Sequence, residues 1–167
     1  MTLFSDLLAA ARRWASDPGS WPIQPQYNTD ERWYARLAET PEHEVWLLTW
    51  LPGQETDWHD HGGSAGAFTV VSGALVERVV KSTPQKRSAS LHVSAGAPGG
   101  GRVRQTDLPA GAGRRFGAHH VHSVANLGDV PAISIHVYSP ALRSMTRYRL
   151  ADGKLRVAEV ERAGVSW

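Results

Sequence analysis

Cysteine is absent from the 167 residues. Its absence excludes disulfides, thiolate metal sites and a cysteine nucleophile, so any metal must rest on His, Asp or Glu. No apolar run approaches the roughly 20 residues needed to cross a bilayer. Nor does Met1-Thr2-Leu3-Phe4-Ser5-Asp6 set a basic stretch ahead of an apolar segment, as a secretory leader would. The expectation is a soluble, cytoplasmic protein with no membrane partner. Neither charge sign dominates, with 18 Lys and Arg against 16 Asp and Glu and a net charge of +2. The basic residues are scattered instead of forming a block, which argues against a nucleic-acid partner. The length suits one domain over residues 1–167 with one active site, and a monomer is expected.

What is present has two textures. Leu3, Phe4, Leu7, Leu8, Ala11 and Trp14 recur at helical spacing, with Thr2 as N-cap and Asp17-Pro18-Gly19 as a stop, so the chain opens on an amphipathic helix. Ser20 to Asp30, with Pro22 and Pro25, reads as a loop. From Arg32 onward short runs rich in Val, Trp, Tyr, Leu and Thr are broken by Gly and Pro about every ten residues, the rhythm of an antiparallel barrel or sandwich. Strands are expected over residues 32–38, 44–50, 67–71, 74–80, 89–93, 103–108, 120–126, 132–138, 145–150 and 154–160, the last two joined by the hairpin signal Asp152-Gly153. The Gly-rich stretch 94–101 lacks the Lys-Ser/Thr of a phosphate cradle and reads as a plain loop. The fold class is therefore all-β dominated, with residues 1–30 as helix and loop and 31–160 as the β-barrel.

The chemistry lies in the histidines. His59-Asp60-His61 sets two imidazoles at i and i+2, on one face of an extended segment, with Asp60 turned away. Gly53 precedes the pair, and His122 is followed after three residues by Asn126. Together these resemble the two motifs of the cupin superfamily, which implies a cupin-type antiparallel β-barrel or jelly roll. The usual cupin pattern supplies a glutamate after the HxH pair, but Ala65-Gly66 stand there and no Glu occurs before Glu77. The site is expected to be three histidines without a carboxylate, leaving the full metal charge and adjacent open positions for an anionic thiolate and oxygen. The third ligand comes from His119, His120 or His122; His122 has the Asn spacing, His120 on the same face is the fallback, and His119 points the other way. His43 and His92 have no partner motif.

His122-Ser-Val-Ala-Asn126, then Pro131-Ala-Ile-Ser134-Ile-His136-Val-Tyr138-Ser139-Pro140, resemble the carboxy-terminal signature of the cysteine dioxygenases, and Tyr34-Ala-Arg36 extends the likeness upstream. The resemblance implies a non-haem Fe(2+) enzyme that adds both atoms of O2 to L-cysteine, giving cysteine sulfinate, with His59, His61 and His122 as ligands. It further implies that Arg36, helped by Tyr34, grips the substrate carboxylate. Ser134, His136 and Tyr138 would form a relay that positions the Tyr138 hydroxyl, and Ser139-Pro140 would be cis. Some members carry a cysteine, joined to that tyrosine, where this chain has Gly66, and here the cross-link is impossible. A sibling dioxygenase of 3-mercaptopropionate is the alternative; in the resembled family that activity goes with glutamine in the place of Arg36, so the arginine here argues for cysteine. A non-catalytic metal-binding cupin sensor is the second alternative. An isomerase or carboxylate oxygenase is disfavoured by the ligand set.

Overall fold

The computed structural model describes residues 3–80, 103–151 and 154–162. The opening helix α1 spans Leu3–Ala15, and the expected cap Thr2 lies outside the described residues. Among the described residues eleven strands follow: β1 (Tyr34–Glu39), β2 (Glu44–Trp50), β3 (Trp58–His59), β4 (Ala65–Ser72), β5 (Ala74–Val80), β6 (Val103–Pro109), β7 (Gly113–Phe116), β8 (His122–Ala125), β9 (Ala132–Ser139), β10 (Ser144–Ala151) and β11 (Lys154–Arg162). They form two antiparallel sheets, ordered β1-β2-β9-β4-β7 and β11-β10-β3-β8-β5-β6. This is the all-β fold expected.

The short β3 and β7 are absent from the expected strands, and both are recruited by tertiary pairing. β3 is two residues wedged between β8 and β10, and β7 carries the polar run Gly-Arg-Arg-Phe. The strand expected at 89–93, the loop at 94–101, His92 and the turn residues Asp152-Gly153 lie outside the described residues; the hairpin is nonetheless framed by the pairing of Ala151 with Lys154.

The first sheet is covered on both faces. Val45, Leu47, Ala67, Ile135 and Val137 point outward into a core closed by Leu7, Leu8, Ala10 and Ala11 of α1. Their strand neighbours point the opposite way, as period-2 alternation demands. Trp50, Phe68, Val70 and Tyr138 therefore fill the space between the sheets with Leu75, Leu108 and Val124 of the second. The helix thus anchors the outer face of the strand whose inner face carries Ser134, His136 and Tyr138.

Candidate metal centre and substrate cleft

Register brings the first two imidazoles together. β3 and β8 pair antiparallel with His59 directly opposite His122, a separation at which cross-strand side chains touch. His61 joins them through a tight turn. Gly62 and Gly63 have φ of 58° and 93°, and a Cβ on Gly62 would collide with Ser144. Asp60, pointing away from the imidazoles, locks this turn to β10: its carboxylate accepts the N–H of Gly62 at 3.0 Å and of Thr146 at 3.1 Å, and the hydroxyl of Tyr148 at 2.7 Å.

One ligand nitrogen from each of His59, His61 and His122 lies within 4.8 Å of the others. All three side chains are buried. Burial, with the neighbouring imidazoles, pushes His59 and His61 well below the usual histidine range and lowers His122, so the rings are neutral, as a metal ligand requires. Hydrogen bonds behind two of the rings decide which nitrogen is free: His59 Nδ1 is 2.8 Å from the Asp57 carbonyl, and His122 Nδ1 is 2.8 Å from Glu77 Oε2. Both then offer Nε2 inward. His61 has no hydrogen-bond partner on either ring nitrogen, although both are buried. A buried donor or acceptor left without a partner costs about 1–3 kcal/mol, and a cation between the three rings takes up the lone-pair nitrogen of His61 and removes that part of the cost. The residues fit a metal.

Glu77, His120 and His122 also come within reach of one another. There, however, Arg114 Nε stands 3.2 Å from Glu77 Oε1, so the carboxylate already has its cation. Glu77 is buried, which raises its pKa, yet the bonds from His120 and His122 draw it down to about 2. His120, the fallback ligand, is 3.4 Å from Glu77 and stacked on Phe116.

The cleft opening onto the metal centre is lined from the first sheet by Tyr34, Trp46, Leu48, Trp50, His136 and Tyr138, and from the second by His59, His122, Val124, Met145 and Arg147. Along β9, Ser134, His136 and Tyr138 lie in one hydrogen-bonded row. Trp50 Nε1 donates to Ser134 Oγ at 2.9 Å, and Ser134 Oγ is 2.9 Å from His136 Nε2. Trp50 takes one of the two Ser134 lone pairs, and in one tautomer of the row Ser134 gives its own proton to His136 Nε2. Neutral His136 then carries its hydrogen on Nδ1, facing the Tyr138 hydroxyl at 3.3 Å. The Tyr138 O–H is left to donate into the cleft, and burial raises its pKa above the usual tyrosine value.

Burial holds His136 down at about 3. Because the unfolded imidazole takes a proton near 6.5 and the folded one does not until far lower, stability is full above pH 6.5 and is lost as pH falls toward 3. The ceiling on that loss is about 5 kcal/mol. Thermal melts of the metal-free protein between pH 4 and 8 are expected to show this acid loss, and His136→Gln to show a visibly flatter profile.

Arg36, expected to grip the substrate carboxylate, is not among the residues that line the cleft. It shares a face with Tyr34, but its cross-strand partner is Trp46, whose ring stands between it and the cleft. The guanidinium lies 6.0 Å over that ring and turns to Glu39 at 3.1 Å and Glu44 at 3.8 Å, with the side chain 48% exposed. In its place is Arg32, two residues before Tyr34. It lies 5.0 Å over the Trp50 ring and lines the cleft. It has no ion pair or hydrogen bond among the described residues, and its pKa is lowered by burial and then by Arg147. Arg147, opposite His59 on β10, is already bonded to Glu161 at 2.9 Å. Neither arginine is singled out by the motifs, although alternation continued one step upstream from Tyr34 reaches Arg32.

Asn126 is buried and serves the fold, donating to the carbonyls of Trp50 at 3.0 Å and Val130 at 2.9 Å. The Ser139-Pro140 peptide is cis. A Cβ on Gly66 would stand 2.5 Å from Phe116 and 3.0 Å from Tyr138. Phe116 thus fills the place beside Tyr138 and stacks on His61 at 4.4 Å. Among the described residues no helix is long and apolar enough to cross a membrane.

The fold has many solved counterparts at low identity. A double-stranded β-helix protein from Klebsiella pneumoniae shares 21% identity over 87% of this chain and 94% of its own, with a TM-score of 0.51. TT1209 from Thermus thermophilus shares 22% over 70% of this chain and 90% of its own, with a TM-score of 0.50. An oxalate oxidase solved with the substrate analogue glycolate shares 14% over 66% of this chain and 52% of its own, also at 0.50. These likenesses establish the double-stranded β-helix fold. The family model for cysteine dioxygenase type I matches residues 5–150, which include every residue of the three-histidine centre, the cleft and the β9 relay. By that match the chain belongs to the cysteine dioxygenase type I family.

Proposed function

We propose that this chain is a thiol dioxygenase that oxidises L-cysteine with O2 to cysteine sulfinate at a mononuclear Fe(2+) centre held by His59, His61 and His122. The observation that carries the reading is a buried, neutral three-histidine cluster opening onto a cleft whose Arg32 guanidinium has no ion pair or hydrogen bond among the described residues. Family membership and the absence of any thiolate or carboxylate among the clustered ligands support the same chemistry. Iron, when bound, supplies the redox chemistry through which sulfur and dioxygen react. Both oxygen atoms end on sulfur, so no external reductant is needed.

The protein's own contribution is placement. Arg32 offers a planar, permanently charged fork to the substrate carboxylate, and it is the one cleft cation without a partner among the described residues, matching one carboxylate. Arg147, with its charge met by Glu161, narrows the opposite wall. Tyr138 holds an O–H toward the reacting sulfur, kept in that orientation by His136, Ser134 and Trp50. Leu48, Val124, Leu142 and Met145 keep bulk water from the cleft.

3-Mercaptopropionate is the second reading, and one observation favours it. The preference for cysteine rests on Arg36, which faces Glu39 instead, and among the described residues no acidic one lines the cleft to receive an ammonium group. Oxygen uptake by the iron-loaded protein with each thiol separates the two. Greater kcat/KM with cysteine supports the first, and greater kcat/KM with 3-mercaptopropionate moves the chain to the sibling activity. No uptake with either leaves a non-catalytic metal-binding cupin.

A further inference from the structure

The cupin pattern puts a ligating glutamate after the histidine pair, where this chain has Ala65 and Gly66. Among the described residues one carboxylate does bond a metal-centre imidazole, and it does so from behind. Glu77 comes from β5, whose pairing with β8 sets Val79 opposite His122 and Glu77 opposite Val124. Its Oε2 is 2.8 Å from His122 Nδ1, and its side chain is 4% exposed. Its remaining contacts are an ion pair with Arg114 at 3.2 Å, without hydrogen-bond geometry, and His120 at 3.4 Å.

We propose that Glu77 is a positioning residue of the metal centre, supplying from outside the ligand set the negative charge that other cupins supply as a ligand. An ionised carboxylate only accepts hydrogen bonds, so it holds the His122 hydrogen on Nδ1 and commits Nε2 to the metal. The charge raises the basicity of that imidazole without occupying a coordination position. Arg114 sets the strength of the effect by taking part of the carboxylate's charge. The inference rests on the three-histidine metal reading and not on the identity of the thiol.

The test is cobalt(II) affinity of the full chain, measured by chelator competition without thiol or oxygen, together with the cobalt visible spectrum. Glu77→Gln keeps shape and an acceptor oxygen but removes the charge, and affinity is expected to fall roughly ten- to hundredfold with a shifted spectrum. Arg114→Gln releases the charge toward His122, and affinity is expected to hold or rise, whereas a merely structural cluster would lose affinity in both variants. Affinity for Glu77→Gln within about twofold of wild type, with an unchanged spectrum, overturns the proposal. Should Glu77→Gln fail to fold, Glu77→Gln/Arg114→Gln removes both charges together and is judged by the same criterion. With thiol and oxygen absent, a failed activity assay and a failed affinity test remain distinct results.

Discussion

Replacing His61 with leucine is expected to raise the stability of the metal-free protein while weakening metal binding by about two to three powers of ten. The two changes have one cause. His61 places two buried ring nitrogens between Phe116 and Tyr138 with nothing to bond, and an apolar side chain of similar size removes that penalty. The gain is about 1–3 kcal/mol, worth several degrees of melting temperature in a chain of this length. On the other side, a four-ligand structural zinc site is worth about 10–16 kcal/mol, so one ligand carries roughly 3–4 kcal/mol and its loss costs two to three powers of ten in affinity. Melting curves with and without cobalt(II) read both effects at once. A variant that is less stable without metal, yet binds it normally, would remove His61 from the centre.

Arg32→Met is expected to raise KM for carboxylate-bearing thiols by about 30-fold to several thousandfold, the cost of removing one partner from a desolvated charge pair, about 2–5 kcal/mol. Arg36→Met is expected to change KM by less than about twofold, because exposed ion pairs such as that with Glu39 contribute little. Steady-state kinetics of the two variants with the preferred thiol decide between them. A large loss in Arg36→Met with little change in Arg32→Met would restore the motif-based assignment and require the guanidinium to swing past Trp46 when substrate binds. A carboxylate-free thiol such as cysteamine serves as the control, since Arg32→Met is expected to leave its KM nearly unchanged.

The contrast between these two arginines marks how far the amino-acid sequence can be read. Period-2 alternation puts residues 32, 34 and 36 on one face, and the chain does obey it. Which arginine reaches the cleft depends on Trp46 and Glu44, residues that meet β1 only through the hairpin register. The histidines are legible for the opposite reason. His59 and His61 are fixed by local spacing, and His122 by a motif carried on its own strand. Glu77 stands out in the sequence only as a glutamate too distant to be a ligand, because nothing in a linear reading sets β5 beside β8. The strands β3 and β7 escape notice on similar grounds: two residues and a Gly-Arg-Arg-Phe run have no periodicity of their own and are held extended by their neighbours.

The Asp60 carboxylate has a consequence for how this site can change over evolutionary time. By holding Gly62, Thr146 and Tyr148 at once, it fastens the histidine turn to the stretch of β10 that carries Met145 and Arg147 into the cleft. One wall of the substrate mouth and the seat of the metal are thus a single mechanical part. Substitutions on β10 that would admit a different thiol also disturb metal retention, and selection sees both effects together. The facing wall, with Arg32, Tyr34 and Trp46, carries no such tether to the histidines among the described residues. Drift in substrate preference has its freer path there.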